Sequence, residues 1–235
     1  MGAKKSRLTN NISEMTYELR DADNGSNVGI YYINLDERPK RNEEMKLELA
    51  KMQLKGNRIE AIREYPGQVG CAKSHIKALQ KGLSDGVDHI LIFEDDFYFT
   101  VEPHILHQVL DQLSKKKYDV FMLGYCIFST AKTSLFPTNH SSFKRIKQAQ
   151  CSHGYMVNKK YAPKLIQNIK ESIFLRMKTN NNTYNIDSHW MSLQTDDMWL
   201  CYSAGPIGMQ RLGYSDIDNN LKWDNQEFIN KSLGL

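Results

Sequence analysis

Residues 89–96 read HILIFEDD, a short and almost purely apolar run that ends in three acids. An apolar run of this length is typical of a strand buried on both faces in a parallel sheet. Successive side chains of a strand point to opposite faces, so we expect Glu94 and Asp96 on one side and Asp95 on the other. An acid-x-acid pair at the carboxyl end of a buried strand can hold a hard divalent cation beside substrate phosphates. A solvated acidic turn is the alternative interpretation.

On both sides of this stretch, strand patterns alternate with helix patterns. Apolar, β-branched or aromatic runs predict strands at VGIYYIN (28–34), RIEAIRE (58–64), YDVFMLG (118–124), CSHGYMV (151–157) and MWLCYS (198–203). Apolar residues at helical spacing predict helices around 45–52, 67–83, 103–113 and 162–169, and a short helix after Asp187. This order predicts an α/β fold with a mostly parallel central sheet and helices on both faces.

The length of 235 residues suits one large domain, which we place at 28–235 after a polar lead-in at 1–27. A polar stretch at 129–147 predicts a long surface loop. The formal net charge is only +4, from 31 basic and 27 acidic residues, which does not indicate nucleic-acid binding. The four cysteines form no C-x-x-C unit, which argues against a zinc cluster. With neither a signal-peptide pattern nor an apolar run long enough to span a membrane, we expect a cytoplasmic protein.

Three further places fit a nucleotide-sugar site at the carboxyl edge of the sheet. Arg38 and Arg41 follow the first strand, where their guanidinium groups could pair with a diphosphate, although an ordinary charged helix entry has the same composition. The segment 67–71, GQVGC, opens a helix whose glycines and free N–H groups suit an anion, while its His75 also fits a purely structural role. Asp187 stands at a predicted helix start, either as an N-cap or as a base for an acceptor hydroxyl.

Six segments in fixed order resemble the family-25 glycosyltransferases, which include lipooligosaccharide galactosyltransferases and the catalytic domain of procollagen galactosyltransferases. They are INLDERPKR (33–41), GQVGCAKSHIKAL (67–79), LIFEDDF (91–97), SHGYMVNKKYAPKLI (152–166), NIDSHW (185–190) and GPIGMQRLGYSDI (205–217). The resemblance implies a GT-A type, Rossmann-like nucleotide-sugar domain. It also implies an inverting enzyme of glycan or lipopolysaccharide biosynthesis that uses a UDP-sugar with Mn2+ or Mg2+. The donor would be UDP-galactose or UDP-glucose, and the acceptor a hydroxyl on a glycan or a protein.

The same resemblance assigns roles to individual residues. Asp187 becomes the catalytic base, and the 94–96 triplet becomes the D-x-D equivalent, with Asp96 as first metal ligand and Glu94 as second. The remaining nucleotide-sugar contacts implied are Asn34, Leu35, Arg38, Gly70, Ser74, His75, Glu94, Asp95, Gln210, Ser215 and Asp216. Two departures bear on these assignments: the triplet begins with Glu rather than Asp, and the segment 205–210 lacks a doubled proline.

Two rival functions differ from a metal-dependent hexosyltransferase. The first is a catalytically inactive module of the same fold that binds a glycan or a partner. The intact acids at 94–96 and the intact Asp187 argue against it. The second is a nucleotidyltransferase, which should carry a basic, glycine-rich loop near its start that is not found here. Tyr155, Trp190 and Trp223 are candidates for an aromatic acceptor platform, although we expect at least one of them to be buried in the core instead.

Overall fold

A computed structural model of the protein describes residues 27–127, 135–139, 142–211, 214–215 and 220–221. Its strands are β1 (Val28–Asn34), β2 (Asn57–Glu60), β3 (His89–Glu94), β4 (Phe97–Phe99), β5 (Val120–Met122), β6 (Leu135–Pro137), β7 (Phe143–Ile146), β8 (Gly154–Asn158), β9 (Trp199–Tyr202), β10 (Gly208–Gln210), β11 (Tyr214–Ser215) and β12 (Asn220–Leu221). Its helices are α1 (Pro39–Lys51), α2 (Gly67–Ser84), α3 (Pro103–Ser114), α4 (Ala162–Thr179), α5 (Ile186–His189) and α6 (Met191–Gln194), with a 3-10 turn at Asn182–Tyr184. Of the predicted lead-in, only Asn27 lies within the described residues.

Eight of these strands form one mixed sheet in the order β2-β1-β3-β8-β5-β9-β7-β6. The pairs β1/β2, β1/β3 and β5/β9 are parallel, whereas β8 runs against β3 and β5, and β7 runs against β9 and β6. Six of the eight strands therefore point the same way. This confirms the predicted α/β fold with a mostly parallel central sheet.

One antiparallel pair, β6 and β7, arises where the chain has no crossover helix. No helix lies between β6 and β7 among the described residues, and a parallel connection would need a dozen residues or more, usually with a helix. The prediction of a surface loop over 129–147 is wrong at Leu135–Pro137 and Phe143–Ile146, which form β6 and β7. Phe143 and Ile146 are buried, and β7 pairs with β9, so the sheet captures a segment whose polar composition indicated a loop. Residues 128–134 and 140–141 lie outside the described part.

Alternation along β3 divides the interior into two cores, one on each face of the sheet. Ile90 and Ile92 pack with residues of α2 and α4, while Leu91 and Phe93 pack with residues of α1 and α3. All four side chains are fully buried. At roughly 1.5–3 kcal/mol for each large apolar side chain removed from water, this strand anchors both helical layers. Helices therefore cover both faces, as predicted, and the end of β3 is held rigidly.

Candidate functional site

A cavity of about 590 Å³ opens where three neighbouring parallel strands end. Because β2, β1 and β3 run in the same direction, the residues that follow them meet at one edge of the sheet. The first turns of α2 and the end of α4 complete the wall. Of the residues implied by sequence, those that line this cavity are Leu35, Arg38, Ser74, His75, Glu94, Asp95 and Asp96. Its volume lies within the range of about 300–1,000 Å³ typical of small-molecule sites.

The three carboxylates at the end of β3 do not follow the predicted alternation in their contacts. The strand ends at Glu94, and Asp95 and Asp96 lie in the turn that follows it. Arg41 Nη1 lies 3.2 Å from Asp95 Oδ1 and 3.5 Å from Asp96 Oδ2, so one guanidinium serves both acids. The Glu94 carboxylate instead accepts a hydrogen bond of 2.6 Å from Ser152 Oγ. Asp95 and Asp96 therefore form one group and Glu94 another, all within the same cavity wall.

Asn34 holds Asp95 from inside the protein. The Asn34 side chain is buried, and its Nδ2 donates to Asp95 Oδ2 at 2.7 Å, while Arg58 Nε donates to Asn34 Oδ1 at 2.8 Å. Burial raises the pKa of the Asp95 carboxyl, and the hydrogen bond from Asn34 opposes that rise. Asn34 is thus a residue that positions Asp95, and it is not among the residues that line the cavity.

Gly70 and Ser74 fix α2 against the segment that follows β2. A Cβ at Gly70 would stand 2.4 Å from the carbonyl oxygen of Ile62, so only glycine permits this approach. Ser74 Oγ donates to the Gly70 carbonyl at 2.7 Å and accepts from the Ile62 N–H at 2.8 Å. Gly70 itself does not line the cavity. Its contribution is the close packing that brings the first turns of α2 to the cavity wall.

From α2, His75 faces Glu94 at the end of β3. Its Nδ1 lies 2.9 Å from Tyr155 Oη, and its Nε2 lies 3.5 Å from Glu94 Oε1. Cys71, one turn earlier on the same helix, lines the same wall. From sequence, Cys71 was included only as the last residue of the segment 67–71, and its thiol was given no role.

Asp187 is not among the residues that line the cavity, but its carboxyl interacts electrostatically with Glu94. It is the second residue of α5, where Asn185 takes the N-cap position that the sequence allowed for Asp187. Its Oδ2 accepts a hydrogen bond of 3.1 Å from the Cys151 N–H. Burial raises the pKa of Asp187, the Cys151 N–H opposes the rise, and the charge of Glu94 adds to it. This carboxyl is therefore near enough to Glu94 to sense its charge.

The C-terminal residues implied by sequence are described only in part. Strand β10 pairs with β4, the strand that begins directly after Asp96. Gln210 Nε2, on β10, lies 3.4 Å from Asp96 Oδ1. Ser215 lies in the short strand β11, and nothing is described of its side chain. Asp216 lies outside the described residues. Gln210 is thus the member of this group that reaches the site.

Sequence reasoning gave no role to two side chains that reach this region, and two of its three aromatic candidates lie in the core, as was expected of at least one. Ser152, which binds Glu94, and Arg176, which lines the cavity from α4, were not predicted. Tyr155 and Trp190, proposed for an acceptor platform, are fully buried and pack edge to face in the core. Trp223 lies outside the described residues. An exposed aromatic at the cavity is instead Tyr65, which is 92% exposed.

None of the helices in the described part of the chain has the length and apolar composition that a membrane crossing requires.

Comparison with known proteins identifies a family. The model of glycosyltransferase family 25, described as an LPS biosynthesis protein, matches residues 66–188, which are 123 of the 235 residues. No curated protein matches by sequence.

Solved structures with a similar chain trace include A197 from STIV, at 13% identity and a TM-score of 0.46, with 85% of this chain and 94% of that chain covered. A glycosyltransferase involved in glycosylation of the major capsid of PBCV-1 matches at 11% identity and a TM-score of 0.39, with 76% and 93% covered. At these TM-scores the similarities carry nothing further about function.

Proposed function

The chain belongs to glycosyltransferase family 25, and on that premise we propose that it is a metal-dependent, inverting hexosyltransferase. The donor would be UDP-galactose or UDP-glucose, and the acceptor a hydroxyl group on a glycan or a hydroxylated protein. One observation carries the proposal. Glu94, Asp95 and Asp96 all line a cavity at the carboxyl ends of parallel strands, inside the segment that the family model matches.

The donor atoms of this wall fit a hard divalent cation. Carboxylate oxygens are the ligands that Mn2+ and Mg2+ prefer, and the charges of Asp95 and Asp96 are partly balanced by Arg41. We assign Asp96 as the first ligand and Glu94 as the second. When bound, the cation would neutralise charge that develops on the leaving diphosphate.

The nucleotide would lie along the segment after β1 and the first turns of α2. Arg38 lines the cavity there and suits a phosphate oxygen, because its guanidinium offers several donors in one plane. Asn34 and Gly70 would act indirectly, the first by holding Asp95 and the second by letting α2 approach. Tyr65 at the rim is a candidate stacking surface for a ring of the donor or the acceptor.

Asp187 is our candidate for the base. In a single in-line displacement, it would take the proton of the acceptor hydroxyl while the acceptor oxygen bonds to the anomeric carbon. The bond from that carbon to the UDP oxygen would break on the opposite side, which inverts the configuration. The raised pKa of Asp187 supports this role, because a base works best when its pKa lies near the operating pH.

A donor screen tests the proposal. Hydrolysis of UDP-, GDP- and CMP-sugars is measured with Mn2+, and Asp96→Asn serves as the matched control. We expect hydrolysis of UDP-galactose or UDP-glucose by the wild type and its loss in the variant. Turnover of GDP- or CMP-sugars instead would overturn the UDP assignment. A wild-type protein that hydrolyses none of the donors but still binds UDP would favour the alternative function, an inactive binding module.

A further inference from the structure

Three side chains of different chemistry meet at the inner wall of the cavity. Cys71 and His75 are four residues apart on α2 and therefore share one face of that helix. Glu94 reaches the same point from the end of β3. One ligand atom from each, a thiol sulfur, a ring nitrogen and a carboxylate oxygen, lies within 4.8 Å of the other two.

The ring of His75 is held in the orientation of a metal ligand. Its Nδ1 lies 2.9 Å from Tyr155 Oη, and the two rings stack with centroids 5.6 Å apart. When Nδ1 donates its proton to Tyr155, the lone pair of Nε2 faces Cys71 and Glu94. Nε2 is buried, and among the described residues it has no hydrogen-bond partner. A buried polar atom without a partner is costly, so it calls for a ligand.

We propose that Cys71, His75 and Glu94 bind a thiophilic divalent cation, zinc by preference. In a tetrahedral zinc site the ligand atoms stand about 2.0–2.3 Å from the metal, which places them roughly 3.3–3.8 Å from one another. His75 Nε2 and Glu94 Oε1 are already 3.5 Å apart. Since the three ligand atoms lie within 4.8 Å of one another, the set needs a contraction of about 1.5 Å at most to reach this geometry. Three protein ligands leave the fourth position for water or a substrate oxygen from the cavity, as in catalytic zinc sites.

This zinc site differs in ligand chemistry from the manganese site proposed above, and zinc binding does not require manganese. A thiolate and an imidazole select zinc or cobalt, whereas Mn2+ prefers oxygen ligands. Asp96 is not a member of the cluster, and Glu94, with two oxygens, would serve both sites. Binding requires the Cys71 thiolate, so it releases the thiol proton to solvent without any change of oxidation state.

Cobalt titration of the purified, metal-free protein tests the inference without any nucleotide. Co2+ bound to a thiolate gives a near-ultraviolet sulfur-to-cobalt absorption band and strong visible bands when the geometry is tetrahedral. We expect one equivalent of Co2+ to produce these bands and Zn2+ to abolish them by displacement. Cys71→Ser should remove the near-ultraviolet band, whereas Cys126→Ser, which alters another half-buried thiol, should leave it unchanged. Tyr155→Phe should keep the band but weaken cobalt affinity about 10- to 100-fold.

Two further measurements separate the possible failures. Alkylation of the wild type with iodoacetamide, mapped by mass spectrometry, should be slowed by Zn2+ at Cys71 and needs no variant to fold. Asp96→Asn should keep the cobalt bands although it loses manganese-dependent UDP binding. A wild type without a thiolate band, a band that survives in Cys71→Ser, or protection by Zn2+ at another cysteine instead would overturn the inference. The cobalt and alkylation measurements use no nucleotide, so their failure would leave the UDP-sugar proposal untouched.

Discussion

Replacement of Asp187 by Asn is predicted to remove the base while leaving the fold intact. The amide keeps an oxygen that can accept the hydrogen bond from the Cys151 N–H, now 3.1 Å long, and it is nearly the same size as the carboxyl group. General-base assistance is typically worth about 10²- to 10⁴-fold in rate, or about 2.7–5.4 kcal/mol of activation free energy. We therefore expect kcat of glycosyl transfer to fall by this factor, with thermal stability close to that of the wild type.

The pH dependence of kcat/KM tests the assignment of Asp187 as the base in a second way. A base acts in its ionised form, so kcat/KM should fall as the pH drops through the pKa of Asp187. Burial raises that pKa, and the charge of Glu94 raises it further, so the acidic limb should lie above the usual aspartate value of about 4. Glu94→Gln removes the neighbouring charge and should shift the limb towards lower pH, whatever it does to the maximal rate.

The assay is transfer to an acceptor identified by the donor screen, measured across the pH range for wild type, Asp187→Asn and a matched control. Asp197→Asn is that control, because this acid pairs with Lys164 on α4 and accepts from Tyr161, the residue before that helix, and it does not line the cavity. It should keep near wild-type turnover. If Asp187→Asn also turns over at the wild-type rate, or the acidic limb survives unchanged in that variant, Asp187 is not the base.

Two other substitutions probe the walls of the cavity. Gly70→Ala should destabilise the protein by about 1–3 kcal/mol in urea denaturation, because its Cβ would lie 2.4 Å from the Ile62 carbonyl oxygen and force α2 outward; unchanged stability would contradict the close packing. Tyr65→Ala should leave stability within about 0.5 kcal/mol, since the side chain is 92% exposed, but it should raise KM for donor or acceptor in steady-state kinetics. Unaltered KM for both substrates would exclude Tyr65 from substrate binding.

The fold could be predicted from sequence wherever burial leaves a local pattern. The run at 89–96 has no polar alternation because both of its faces are covered, and β3 has that environment. The strands β6 and β7 left no such signal, because they are short and lie within a polar stretch, and the pairing of β7 with β9 and of β6 with β7 decides their structure. The direction of β8 was equally hidden, since it runs against both β3 and β5 and the residues of the strand itself do not indicate this.

The site could be predicted to the level of segments, but not of contacts. The acids of β3, the arginines after β1 and the start of α2 meet at one edge because parallel strands end together. Ser152 could not be found in this way: it reaches Glu94 only because β8 lies antiparallel to β3, with Gly154 opposite Phe93. Arg176 lies at the end of a long amphipathic helix, where a basic residue near the helix terminus is ordinary.

The remaining differences arise from tertiary packing. Tyr155 and Trp190 have the aromatic character of a sugar platform, but aromatic residues also fill cores, and here both do. The absence of a C-x-x-C motif argued against a zinc cluster. In the fold, however, Glu94 from a separate strand lies beside Cys71 and His75 of α2, and the three could hold a metal ion. A cluster assembled from a helix and a distant strand end leaves no spacing that can be read along the chain.

Calorimetric titration with UDP, in the presence and absence of Mn2+, tests the central claim that the carboxylates after β3 hold a cation against a pyrophosphate. The wild type should bind UDP measurably only with Mn2+. Asp96→Asn should lose at least about tenfold in that affinity, because even outer-shell changes at metal sites commonly cost this much, whereas Asp187→Asn should bind as the wild type does. Equal affinity with and without Mn2+, or an Asp96→Asn variant that binds as tightly as the wild type, would contradict the claim.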